Sequence, residues 1–213
     1  SNDRRRIITE LGADFNYDEA VEKVKFLSLL QYTLPGVPCI YYGDEAAMTG
    51  ESDPGNRSGC IWGLENTQLQ FHYRQLGVIY REHPALRSGG FDVLETGSDD
   101  VLGFIRHDDR ETVAVLANRG WESTVISPEV MKDAGGGDIR GKYALALMSS
   151  REIKITDGRI GESIILEPRS AAVICIRAEK PERYDMPRSA GVICHISSIP
   201  GAKLGKAARA FVD

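Results

Sequence analysis

Tryptophan occurs twice, and histidine and cysteine four times each, in 213 residues. Each scarcity removes a class of function. Cys39, Cys60, Cys175 and Cys194 lie far apart, and no pair has metal-type spacing. Three of them stand in apolar or strand-like stretches, where a thiol behaves as a small hydrophobe, so reduced structural thiols are expected. Basic residues are not in excess: 26 Lys and Arg face 31 Asp and Glu, for a net charge of −5. That balance argues against a nucleic-acid partner. No apolar run approaches the ~18 residues of a membrane span, and no leader pattern opens the chain, so no membrane contact and a cytoplasmic location are expected. The opening Ser1-Asn2 also fits the remnant of an expression tag. No residue pattern asks for a metal or a cofactor. What is present is core material: hydrophobic residues make up 42% of the chain, too many for wholesale disorder.

The chain reads as residues 1–87, residues 88–177, a linker at 178–187 and a last stretch at 188–213. In the first zone, Ala20, Val24, Leu27, Leu30 and Leu34 make a helical stripe over 17–34, stopped by Pro35-Gly36. Asp18 and Glu19 suit the positive end of its dipole. Val37 to Gly43 is a short continuous apolar run of the kind seen in parallel strands covered on both faces. A loop rich in Gly, Ser, Asp and Pro then leads to Trp62. A second helix over 67–81 carries Leu69, Tyr73, Leu76 and Tyr80 on one face, and His83-Pro84 ends it. Helix, strand, long loop and helix make a fragment of a βα repeat. One repeat cannot cover both faces of its strand.

The second zone predicts short strands at 91–94, 101–107, 112–118, 122–126, 143–148, 152–156, 163–166 and 171–176. Asp157-Gly158 is a two-residue hairpin signal. That spacing suggests an antiparallel sandwich. Gly135-Gly136-Gly137 lacks the Lys-Ser/Thr of a phosphate loop and reads as a plain turn. Residues 178–187 are charged and proline-bearing. After them, Gly191-Val-Ile-Cys194 and a helix-like 204–212 resemble the start of a further domain.

Leu34-Pro-Gly-Val-Pro-Cys-Ile-Tyr-Tyr-Gly-Asp-Glu45, followed by Met48-Thr-Gly50, Asp53-Pro-Gly-Asn-Arg57 and Trp62, resembles the last barrel strand of the α-amylase superfamily in its neopullulanase and cyclomaltodextrinase branch. Leu166-Glu-Pro-Arg-Ser-Ala-Ala-Val173 is similar to the final strand of that family's C-terminal β-domain. The resemblance implies an α/β fragment of a (β/α)8 barrel followed by an all-β antiparallel sandwich. It implies a retaining glycosidase or 4-α-glucanotransferase acting on α-glucan or maltooligosaccharide, with two carboxylates about 5 Å apart flanking the scissile bond. By resemblance, Asp3 matches the third, transition-state-stabilising carboxylate, and Asn2 stands where the family has a sugar-binding histidine. No residue matches the nucleophile or acid motifs, so this chain alone is expected to be inactive. Asp44 and Glu45 are not a substitute pair, because neighbours on a strand point to opposite faces.

Arg57 is a candidate sugar ligand, although a clamp on Asp53 or on carbonyls accounts for it as well. Trp62 is either a stacking platform or local packing. His72 and His83 read as packing or capping residues, and His107 as part of a solvated turn. Arg188 to Gly201, with His195 and Ser197, resembles the opening of an amylomaltase, which implies a second α-glucan domain with His195 near its sugar site. A rival reading is a non-catalytic carbohydrate-binding sandwich, but its candidate aromatics Phe91, Phe104, Trp121 and Tyr143 are mostly expected to point inward. Another is an assembly domain, possible as a homo-oligomer joined through the apolar face of the uncovered barrel fragment.

Overall fold

The computed structural model describes residues 4–131, 143–148, 151–153, 155–156, 159–161 and 163–180. The expectations for Asn2, Asp3, the Gly135–Gly137 turn, His195 and Ser197 lie outside the described residues. So does the amylomaltase-like tail. The described residues form two compact units: one takes in 4–28 and 38–76, the other 29–37 and those from 77 onward.

In the first unit, α1 (Ile7–Glu10) precedes α2 (Tyr17–Thr33), whose residues 17–28 belong here. Asn16 caps α2: its Oδ1 accepts from Glu19 N at 3.1 Å, while its Nδ2 reaches back to Glu19 Oε2 at 3.4 Å. This Asn-x-x-Glu pairing settles two donors at once. Asn66 does the same duty for α3 (Thr67–Glu82), its Oδ1 accepting from Leu69 N at 2.9 Å. The core of this unit is Ile8, Ala20, Val21, Val24, Ala47 and Leu69. Leu27, assigned to the buried stripe by its spacing, is 41% exposed.

The apolar run at 37–42 departs from expectation, since it forms no strand. A strand exists only through its neighbours' hydrogen bonds, and no described residue offers this run a ladder. Val37 is 87% exposed, and Ile40, Tyr41 and Tyr42 are exposed as well.

Among the described residues, every strand pairing of the second unit is antiparallel. Its main sheet has the order β1 (Gly90–Leu94), β2 (Val101–His107), β3 (Glu111–Asn118), β10 (Ala171–Arg177), β5 (Tyr143–Ala146), β6 (Arg151–Ile153). Two-stranded ribbons join β4 (Thr124–Ile126) to β9 (Ile164–Leu166), and β7 (Ile155–Thr156) to β8 (Arg159–Ile160). The strands on either side of Asp157-Gly158 pair with Thr156 opposite Arg159, as the hairpin signal predicts. Among the described residues the strands form one six-stranded sheet and two two-stranded ribbons. All eight residues of β3 are buried, as fits its place beside β10 at the middle of the sheet. Ile105, Ala114, Ala144, Ile174 and Ile176 form one cluster. Ile126 and Leu166 of the β4–β9 ribbon pack on Val101 and Leu116 in another. Each such aliphatic side chain removed from water is worth roughly 1.5–3 kcal/mol.

Arg106 is the largest fully buried side chain of this unit. Its guanidinium donates to four carbonyls: Gly90 at 3.1 Å, Thr33 at 3.2 Å, Leu86 at 2.9 Å and Gly89 at 3.0 Å. Three of them lie at or near the C-terminal ends of α2 and of α4 (Pro84–Ser88), where a cation meets unpaired carbonyls and the negative end of the dipole. Burial lowers its pKa. Pro84, expected only to end a helix, also begins one: it is at the start of α4, where its missing N–H costs nothing.

Phe104 alone of the four candidate aromatics points inward, at 0% exposure; Trp121 is 75% exposed, Tyr143 46% and Phe91 39%. Phe104 lies within the buried centre of β2, whereas Trp121 stands on a turn.

Candidate functional site

Residues 4–10 are held down by the motif-bearing loops of the first unit. Asn56, buried inside the Asp-Pro-Gly-Asn-Arg loop, donates from Nδ2 to the Arg4 carbonyl at 2.8 Å. Arg5 pairs with Glu51 at 2.7 Å. The Arg6 amide donates to Gly50 O at 2.9 Å, and the Gly50 amide donates in turn to Thr9 Oγ1 at 3.0 Å. Gly50 has to be glycine here: a Cβ would lie 2.7 Å from Gly55 O and 2.9 Å from Asn56 Cα.

The Arg6 side chain is fully buried. Its guanidinium donates to the Tyr42 carbonyl and faces Asp44 Oδ1 at 3.5 Å. Its Cζ lies 4.5 Å from the Tyr41 ring centre and 4.4 Å from that of Tyr42. Two π faces and one carboxylate are what make a buried arginine tolerable. Burial raises the Asp44 pKa, and Arg6 opposes that shift. Glu45 turns the other way and accepts from the Gly43 amide at 2.9 Å. Gly43 has φ of +86, and a Cβ there would overlap Met48 Sδ. A cavity of about 350 Å³ opens beside this cluster, lined by Arg4, Arg5, Arg6, Glu10, Tyr41 and Asp44 among others.

Arg57 pairs with Asp53 at 3.0 Å, the clamp foreseen for it, and Trp62 is 73% exposed. Neither lines the cavity. Sequence reasoning passed over Arg6, Thr9 and Asn56. The Arg4-Arg5-Arg6 run was visible, but three adjacent arginines carry no mark of which one is buried.

The second unit holds a separate cluster at the start of α4. Glu111 Oε2 meets His83 Nδ1 at 2.8 Å and accepts from Arg177 Nε at 2.7 Å and from its Nη2. Oε1 accepts from Ala85 N at 3.3 Å. Burial works to raise the Glu111 pKa, but His83 and Arg177 outweigh it and bring the carboxyl down to about 2. Cys175 lies beside it, and burial, aided by the Glu111 charge, pushes the thiol up to about 12. The donor atoms of His83, Glu111 and Cys175 lie within 4.8 Å of one another, the spacing of a metal site. Arg177 supplies the positive charge there, however, and the thiol stays protonated, so the chemistry of the set is that of a structural ion pair. His83, read as a packing or capping residue, is buried against the Glu111 carboxylate. His107, read as part of a solvated turn, meets Asp92 at 2.8 Å.

Comparison with known proteins shows what these features are similar to. Residues 1–95 match the family described as the alpha amylase catalytic domain. The crystal structure of an Anoxybacillus alpha-amylase superposes with a TM-score of 0.66 over 85% of this chain and 37% of that one; at 23% identity this is a likeness of fold. Nearer in sequence is a cyclomaltodextrinase of Geobacillus thermopakistaniensis (strain MAS1), 37% identical over 154 residues, covering 70% of this chain and 24% of that protein. An amylopullulanase of Thermoanaerobacter thermohydrosulfuricus is 39% identical over 108 residues, covering 46% of this chain and 7% of that protein. The chain therefore spans about a quarter of the cyclomaltodextrinase it matches. Its homologues are glycoside hydrolases of the alpha-amylase family. Among the described residues, no helix is long and apolar enough to cross a membrane.

Proposed function

We propose that this chain is the C-terminal portion of a retaining α-glucan hydrolase or 4-α-glucanotransferase acting on starch, glycogen or maltodextrin. In this reading residues 1–87 close a catalytic barrel, 88–177 form its β-domain, 178–187 are a linker and 188–213 begin an amylomaltase-like domain. The observation that carries it is the fastening of residues 4–9 to the 42–56 loops by Arg6, Gly50 and Asn56. Asp3 would stand at the head of that fastened segment as transition-state stabiliser. Asn2, Arg57 and Trp62 would contact sugar, and His195 would do so in the second domain. Nucleophile and acid would come from outside this sequence. A location in the cytoplasm belongs to the same reading, as does burial of the exposed run at 37–42 against further barrel strands or a second copy of the chain.

Assays of the isolated chain on maltooligosaccharides and pullulan test the first part, with no turnover expected. Hydrolysis that persists after rigorous removal of contaminating amylase and is unchanged by Asp3→Asn would contradict it. In a longer chain that restores the two missing carboxylates, Asp3→Asn should lower kcat on the order of 10²–10³-fold.

A further inference from the structure

The turn between β3 and β4 carries Trp121, the most exposed of the four candidate aromatics. Trp121 is 75% exposed, yet it is held: the Arg169 guanidinium lies over its ring with Cζ 3.6 Å from the ring centre. Arg169 has φ of 52, a left-handed conformation that a non-glycine residue adopts at a conformational cost. The turn bearing Arg169 is tied to the turn bearing Trp121 at several points. Asn118 N donates to Ser170 O at 2.8 Å, and Asn118 Nδ2 donates to the carbonyls of Leu166 and Glu167, each at 3.2 Å. Ser123 Oγ donates to Glu167 Oε2 at 2.7 Å. The indole thus stands on a hydrogen-bonded base, backed on one face by a cation and largely exposed to solvent.

We infer that Trp121, backed by Arg169, is a surface subsite for α-glucan, on which a glucose ring stacks its C–H face. The choice of α-glucan as ligand rests on the function proposed above. A side chain already immobilised does not lose rotamer freedom on binding, which is the advantage of a backed ring. The turn's own residues Arg119, Glu122 and Ser123 are exposed and polar and can meet sugar hydroxyls, while the exposed apolar pair Val125 and Ile165 lies further along the β4–β9 ribbon. One ring binds weakly, with Kd on the order of millimolar for an oligosaccharide, and becomes useful on a polymer that offers many equivalent rings.

The test is affinity electrophoresis of the 213-residue chain in gels containing glycogen, with β-glucan gels as the control, alongside titration of tryptophan fluorescence with maltoheptaose in a Trp62→Phe background. Retardation in glycogen and a saturable fluorescence change are expected. Trp121→Ala should abolish the retardation, and Arg169→Gln should weaken binding several-fold, with the circular dichroism of both variants unchanged. Trp121→Phe, which keeps a ring, should retain part of the retardation and so controls for loss of fold. No retardation of the parent chain, or retardation that survives Trp121→Ala, overturns the subsite. Retardation by β-glucan alone, lost in Trp121→Ala, overturns the choice of α-glucan and with it the proposed function. Loss of catalysis in a longer chain with retardation intact counts against the proposed function only.

Discussion

Replacing Glu111 by glutamine should destabilise the sheet unit by about 3 kcal/mol at pH 7. The substitution keeps the shape but removes the negative charge from a site where Glu111 is 1% exposed and holds both His83 and Arg177. Removing the carboxylate leaves the Arg177 guanidinium, 31% exposed, without its partner, which costs about the lower end of what breaking a fully buried pair does. The carboxyl's displacement gives a compatible figure: from 4.5 to about 2 corresponds to about 3 kcal/mol. The pH dependence has a definite sign. A carboxyl whose folded pKa is depressed contributes fully above its unfolded value near 4.5, and that contribution is lost as pH falls towards 2. Because the chain has two compact units, whole-chain unfolding need not be two-state. Amide exchange along the β3–β10 ladder, Glu111–Ala117 against Ala171–Arg177, is the appropriate probe. Protection there should fall by about 10²-fold or more in Glu111→Gln at pH 7. The gap between variant and parent should narrow as the pH approaches 2. A protection loss under about threefold at pH 7, or a gap that does not change with pH, would refute the reasoning.

Arg106→Met strips four carbonyls of their donor; a loss of at least about 3 kcal/mol is expected in urea unfolding followed by exchange of β2 amides, with Arg106→Lys recovering only part of it. His72, whose Nε2 lies 3.0 Å from the Lys25 carbonyl, has its pKa lowered to about 4 by burial. Its imidazole resonances should therefore stay constant from pH 8 to about 5, and its contribution to stability should be lost as pH falls from 6.5 through 4; a midpoint above 6 contradicts this. Peptide-level mapping of thiol labelling should find exposed Cys39 and Cys60 modified in the native chain and buried Cys175 only after unfolding.

Much of the local structure was legible because it is written in local chemistry. The spacing of Ala20 and Val24, the acidic first turn at Asp18-Glu19, and β-formers between turn residues placed helices and strands within a residue or two of where they stand. The order of Tyr41-Tyr42-Gly43-Asp44, Asp53-Pro54 and Arg57 pointed to the family that residues 1–95 match. The same residues misled on one point. The run at 37–42 has strand composition but no strand, because a strand is a relation to a neighbour and its composition holds no information about whether one is present.

The sequence by itself determined which segments could be helices or strands, and which family's motifs the loops carry. Tertiary structure alone decided that Arg6, and neither Arg4 nor Arg5, goes under the tyrosines, that Glu111 meets Arg177 across 66 residues of chain, and that Trp121 stays outside with an arginine on its ring. Propensity and capping act over a few neighbouring residues and survive being read in one dimension. The energy of a buried charge depends on what closes around it, and those groups come from distant parts of the chain.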